Sequence, residues 1–150
     1  EGTVDTPGGA RTVHATARIT KSDVDTFLFI SMPNSGVYDL SSADCLVVDS
    51  WVPSGQSTGV ELLVILVDED GEDFIAHTGR FLSSPGHKRS VVPFYRFQRA
   101  GWSMSGDGTL NLRRIRDVRI GWGGYTGTEG EQVRFSIAPI SSARISGYRD

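Results

Sequence analysis

Apolar and polar residues alternate with a period of two along most of the chain, the periodicity of half-buried strands. The first clear run is Arg11 to Ile19, with Val13, Ala15, Ala17 and Ile19 on one side and Thr12, His14, Thr16 and Arg18 on the other. Further strands are predicted at Asp25 to Met32, Cys45 to Val52, Asp73 to Thr78, Lys88 to Pro93, Asp117 to Trp122, Gln132 to Ile140 and Ala143 to Ile145. Gly59 to Val67 is apolar at both alternations, which marks a strand covered on both faces near the centre of a sheet. Between it and the strand opening at Asp73 lies Asp70-Gly71, a strong hairpin signal. Phe94 to Thr109 reads as a long irregular connection and Gly123 to Gly130 as a Gly-rich loop. Residues 1–10 read as a linker or loose lead-in, 11–146 as the domain and 147–150 as a tail.

Some nine strands without a helix leave a sandwich or a barrel, and their lengths and irregular connections favour an all-β, two-sheet antiparallel β-sandwich of the jelly-roll kind. Composition agrees: 150 residues with 18 Gly and 6 Pro suit one turn-rich domain. No run approaches the roughly 18 apolar residues of a membrane span, so no membrane partner is expected. The chain begins at Glu1 rather than Met, as a mature or excised piece would. Cys45 is the one cysteine, which forbids an internal disulfide and reads as a small hydrophobe opening a strand.

The net charge of -3 conceals an asymmetry. From residue 80 to 119 there are nine basic residues (Arg80, Lys88, Arg89, Arg96, Arg99, Arg113, Arg114, Arg116 and Arg119) against Asp107 and Asp117. Such a block suits an anionic partner. The competing reading pairs these side chains with the acidic first half once the strands interleave. Nucleic acid is not expected, because the sequence pI of 5.6 and the lack of interleaved exposed aromatics make a poor single-strand platform.

Catalytic patterns are missing. His14, His77 and His87 stand singly, with no metal-ligand spacing. Gly101-Trp102-Ser103-Met104-Ser105 lacks the second glycine of a nucleophile elbow. Asp68, Asp70, Glu72 and Asp73 cluster at a hairpin tip, where solvated turn residues are the ordinary explanation. No strand carries the carboxylate spacing of a jelly-roll hydrolase, so the protein is expected not to be an enzyme.

Four stretches together carry a resemblance: Tyr38 to Leu46 (YDLSSADCL), Val64 to Gly71, Val91 to Phe97 (VVPFYRF), and Asp117 to Gly121 followed by Phe135 to Ile140. From Ala10 to Ile145 this succession resembles the galactose-binding-like jelly rolls of non-catalytic carbohydrate-binding modules, similar to those of families 4, 11 and 30. The resemblance implies a module that binds a polysaccharide or oligosaccharide on a concave sheet face. It further implies a covalently linked glycan-active catalytic domain, a monomer, and a secreted or cell-surface setting. The resemblance implies that many relatives hold a structural calcium with an aspartate where this chain has Ala138, so no cofactor is expected, the alternative being a calcium held by backbone carbonyls and a first-strand acid. The alternatives are a structural or protein-interaction sandwich and, behind it, a small jelly-roll glycan hydrolase or lyase.

Sugar recognition needs an exposed ring to stack on a pyranose and polar groups for its hydroxyls. Strand alternation turns Asp49 and Trp51, His77, Arg119 and Arg134 away from the core, and if their strands share a sheet all five meet on one surface. Trp51 is then either the stacking platform, with the other four as polar partners, or a residue under a covering loop. Trp122 and Tyr125 stand where flexible glycines would let both project, although Trp122 shares the inward alternation of Val118 and Ile120. Trp102 stands beside Arg96 and Arg99, placed either to stack on a ligand or to plug the core.

Overall fold

The computed structural model describes residues 3–5, 11–32, 36–124 and 127–145. Its strands are β1 (Thr3–Asp5), β2 (Arg11–Arg18), β3 (Thr26–Ser31), β4 (Cys45–Val52), β5 (Glu61–Asp68), β6 (Asp73–Phe81), β7 (Gly86–Pro93), β8 (Gln98–Arg99), β9 (Ile115–Gly124), β10 (Gln132–Ile137) and β11 (Ser141–Ala143). They form two antiparallel sheets. In the first sheet the order is β1-β2-β10-β4, with β7 on the far side of β4 and β11 pairing β4 beyond the end of β10. In the second it is β3-β9-β5-β6-β8.

The alternation read from the sequence decides what each sheet buries. Leu46, Val48, Val52, Val133, Phe135 and Ile137 of the first sheet meet Leu62, Val64, Leu66, Phe74, Ala76, Val118, Ile120 and Trp122 of the second in one core. β5 is the middle strand of its sheet and is buried on both faces, as its unbroken apolar run requires. The β5–β6 hairpin turns at Asp70-Gly71, where Gly71 takes a φ of +82° that favours glycine. β3 lies so close to β9 that a Cβ on Gly121 would stand 1.8 Å from the Leu28 carbonyl oxygen.

Three departures from the expected elements have local causes. Part of the segment expected to be loose, Thr3–Asp5, pairs with β2. The connection after β7 holds a 3-10 turn, Phe94–Arg96, and the short strand β8, which adds an edge to β6. The predicted last strands are interrupted after Ile137, so β11 begins at Ser141.

Asp68 and Glu72 are not solvated turn residues, as expected from the sequence; both are buried. The Asp68 carboxylate accepts from the backbone N–H groups of Asp70 and Glu72 and so organises the hairpin from within. Glu72 is fully buried and accepts from Arg99 at 2.9 Å and from the Gly108 N–H at 3.1 Å.

Candidate functional site

The expected single surface does not exist, because its residues divide between the sheets. β4 and β10 belong to one sheet and β6 and β9 to the other, so Asp49, Trp51 and Arg134 face one side of the sandwich and His77 and Arg119 the opposite side. Period-two alternation tells which residues turn away from the core, but not which sheet a strand joins.

The outer face of the second sheet can be built from its register. Residues directly opposite on antiparallel strands project to the same face. One row therefore reads Ser31, Arg119, Ile65, Ile75, Gln98 from β3 to β8; a second reads Asp117, Val67, Asp73; a third reads Phe29, Gly121, Leu63, His77. Leu63, Ile65 and Val67 are buried and make an apolar floor. Polar groups cross this floor in a connected series. Asp117 Oδ2 accepts from Ser31 Oγ at 2.5 Å and from Arg119 Nε at 2.9 Å. Arg119 Nη1 stands 3.6 Å from Asp73 Oδ1. Asp73 Oδ2 accepts from the Trp102 indole N–H at 2.7 Å. Farther along, His77 Nδ1 lies 2.8 Å from Glu61 Oε2.

Trp102 does not plug the core; the residue is 57% exposed. The turn that carries it is fastened to Asp73 by three different groups. The Asp73 N–H donates to Ser103 Oγ, its carbonyl accepts from the Ala100 N–H, and its carboxylate holds the indole. Glu72 grips the same loop through Arg99 and Gly108, and a Cβ on Gly106 would stand 2.1 Å from Glu72 Cδ. At the opposite edge Phe27, on the outward side of β3, is 74% exposed. Sequence reasoning missed Asp73, Asp117 and Phe27 as members of this surface; their outward alternation was legible, but their common sheet was not.

Trp122, a candidate for the binding surface, is a core residue. It is 3% exposed and packs edge-on against Phe135, with ring centroids 6.2 Å apart, because it shares the inward side of Val118 and Ile120. Tyr125 lies outside the described residues.

On the outer face of the first sheet, one row reads His14, Ser136, Trp51, His87 across β2, β10, β4 and β7. Trp51 is half-buried, with its ring 4.9 Å from that of His87. Asp49 accepts from Arg89 in a bidentate pair and lies 2.7 Å from His87 Nε2. The Arg89 hydrogen bond holds the Asp49 carboxyl below the usual carboxylate range; burial opposes this and His87 adds to it. A depression of about 380 Å³ is lined by His14, Thr16, Trp51, Pro53, Arg134 and Ser136 among others.

The basic block between residues 80 and 119 is not a single patch. Arg89 pairs with Asp49, Arg99 with Glu72, Arg114 with Glu69, and Arg119 with both Asp73 and Asp117. Arg80 is buried; it donates to the Gly86 carbonyl, and burial lowers its pKa. Among the described residues no three His, Cys, Asp or Glu side chains assemble as metal ligands. The Ala138 backbone N–H donates to the Asp49 carbonyl.

Comparison with known proteins defines the fold first. The chain has the jelly-roll sandwich of carbohydrate-binding modules of family 11. One similar structure is the family 11 carbohydrate-binding module from Clostridium thermocellum in complex with a β-1,3-1,4-mixed-linked tetrasaccharide. It is 18% identical, with 95% of this chain and 81% of that chain covered and a TM-score of 0.66. A second is the family 11 module of the cellulosomal cellulase Lic26A-Cel5E of Clostridium thermocellum. It is 12% identical, with 97% and 95% covered and a TM-score of 0.53. No protein-family model and no curated protein matches the sequence.

Proposed function

We propose that this domain is a non-catalytic carbohydrate-binding module that holds a polysaccharide on the outer face of the β3-β9-β5-β6-β8 sheet. The observation that carries the reading is the connected series Ser31, Asp117, Arg119, Asp73 and Trp102 across an apolar floor, with exposed rings at both edges. An exposed indole offers a flat apolar surface to a sugar ring, and the fixed donors and acceptors beside it match hydroxyl groups. Trp102, Phe27, Asp73, Arg119 and His77 are assigned these roles. The family 11 fold supports the reading, since both similar structures are carbohydrate-binding modules and one of them holds an oligosaccharide.

Binding rather than cleavage follows from how the carboxylates are used. Hydrolysis needs two carboxyls facing each other across a cleft, free to act on substrate and water. Here Asp117 and Asp73 are both occupied by Arg119, and Glu61 by His77. Working as a monomer outside the cell, the module would anchor a covalently linked glycan-active enzyme to its polymer. Shallow sites of this kind bind weakly, with dissociation constants of about 10 µM to 1 mM, or roughly 4 to 7 kcal/mol.

A glycan array followed by affinity electrophoresis in gels of neutral polysaccharide tests the reading. Trp102→Ala should abolish retardation while changing stability by no more than about 1 kcal/mol, because the ring is exposed. An array without a single glycan bound, or a Trp102→Ala variant retarded like the parent, removes it.

A further inference from the structure

On the opposite side of the sandwich, we infer a second, independent site that takes an acidic sugar residue, a uronate of a polyuronate chain, in the depression beside Trp51. The depression of about 380 Å³ lies in the lower range of small-ligand pockets, near 300–1,000 Å³. Its wall combines the groups a uronate needs. Trp51 supplies a half-buried indole; Ser136 Oγ, bonded to His14 Nδ1, and Thr16 supply hydroxyl partners; Arg134 supplies the cation.

Arg134 is what distinguishes this wall from a neutral-sugar site. It forms no ion pair with a carboxylate among the described residues, whereas Arg89, Arg99, Arg114 and Arg119 all do. Among the described residues its guanidinium donates to the neutral side-chain amide of Gln132. Its backbone is held on both sides by Gln56, whose Oε1 accepts from the Arg134 N–H at 2.7 Å and whose Nε2 donates to the Arg134 carbonyl at 3.0 Å. Gln56, in the loop before β5, also donates to the Leu82 carbonyl at 2.6 Å, which ties this support to the turn between β6 and β7. Asp49, on the same outer face, is committed to Arg89 and His87 and does not line the depression. A fork of N–H donors without a carboxylate of its own, beside an aromatic ring, fits a planar carboxylate on a pyranose better than it fits an isolated phosphate or a neutral hydroxyl.

The test is affinity electrophoresis of the whole domain in gels containing polygalacturonate, alginate, dextran sulfate or a neutral mixed-linked β-glucan. The wild type should be retarded by at least one polyuronate. Arg134→Gln, which keeps the length and the hydrogen-bonding end of the side chain, should weaken that retardation at least about tenfold. Trp51→Ala should do the same; should it fail to fold, Trp51→Phe, which keeps a ring, is expected to retain binding while Arg134→Gln carries the test. Trp102→Ala should leave polyuronate binding unchanged, so the loss of β-glucan binding in that variant reports on the other face alone. Retardation by dextran sulfate equal to that by the polyuronates would reduce the effect to ion exchange and overturn the inference. Indifference to both polyuronates, or an Arg134→Gln variant that binds like the parent, would overturn it as well.

Discussion

At the scale of single residues, the acidic side chains divide by what they hold rather than by where they fall in the chain. Asp49 shows this in its protonation. Arg89 first, with help from His87 and against the effect of burial, holds its carboxyl below the ordinary value. A carboxyl whose folded pKa is depressed stabilises the fold at every pH above its unfolded value, about 3.9, and loses that contribution as the pH falls through the folded one. Between pH 5 and 8, well above that range, the contribution of this pair should therefore stay constant. Urea unfolding over a pH series should show the wild type losing stability on acidification below about pH 4, and Asp49→Asn losing less over the same interval. Parallel curves for the two proteins below pH 4 would mean that Asp49 does not contribute to the acid response. Cys45 behaves in the opposite sense: its thiol is buried and its pKa is raised by that burial, in keeping with a packing role.

At the scale of elements, a loop is as precise as the strand that grips it. The segment after β8 has little regular structure, yet it presents Trp102 in a fixed place because Glu72 and Asp73, neighbours at the start of β6, hold it at several points. Removing the buried Glu72 would leave the Arg99 guanidinium and the Gly108 N–H without their partner, so Glu72→Ala should cost about 3 kcal/mol. Glycan affinity should fall with it, since the loop's second anchor is lost. Chemical denaturation and affinity electrophoresis on the same sample check both effects. A fully stable variant would show Arg99 and Gly108 to be satisfied elsewhere, contrary to the structure. This anchoring was not legible in the sequence. A run of acids around Asp-Gly reads as a wet hairpin tip, and nothing in its spacing reveals that a loop some thirty residues onward folds back over it. The strands themselves were legible: β5 from its two apolar alternations, the hairpin from Asp70-Gly71, and the burial of Trp122 from its parity with Val118 and Ile120.

At the scale of the whole molecule, the partition of strands between two sheets is the fact that alternation could not supply, and it decides the number of surfaces the protein has. Asp49, Trp51 and Arg134 stand with β4 and β10; His77, Arg119 and Asp73 stand with β6 and β9. Packed sheets lie about 10 Å apart, so groups on their two outer faces are separated by the full thickness of the core. Side chains that far apart, with no shared partner, act additively to within about 0.5 kcal/mol. The double variant Trp102→Ala/Arg134→Gln should therefore bind neutral glucan as poorly as Trp102→Ala alone and polyuronate as poorly as Arg134→Gln alone. Calorimetric titration of the four proteins with each ligand, and of the wild type with one ligand already bound, measures the coupling directly. A coupling above about 1 kcal/mol, or competition between the two polymers, would mean that one surface serves both ligands. Independent binding instead makes the sandwich a bridge between a neutral and an acidic chain, each held on its own sheet.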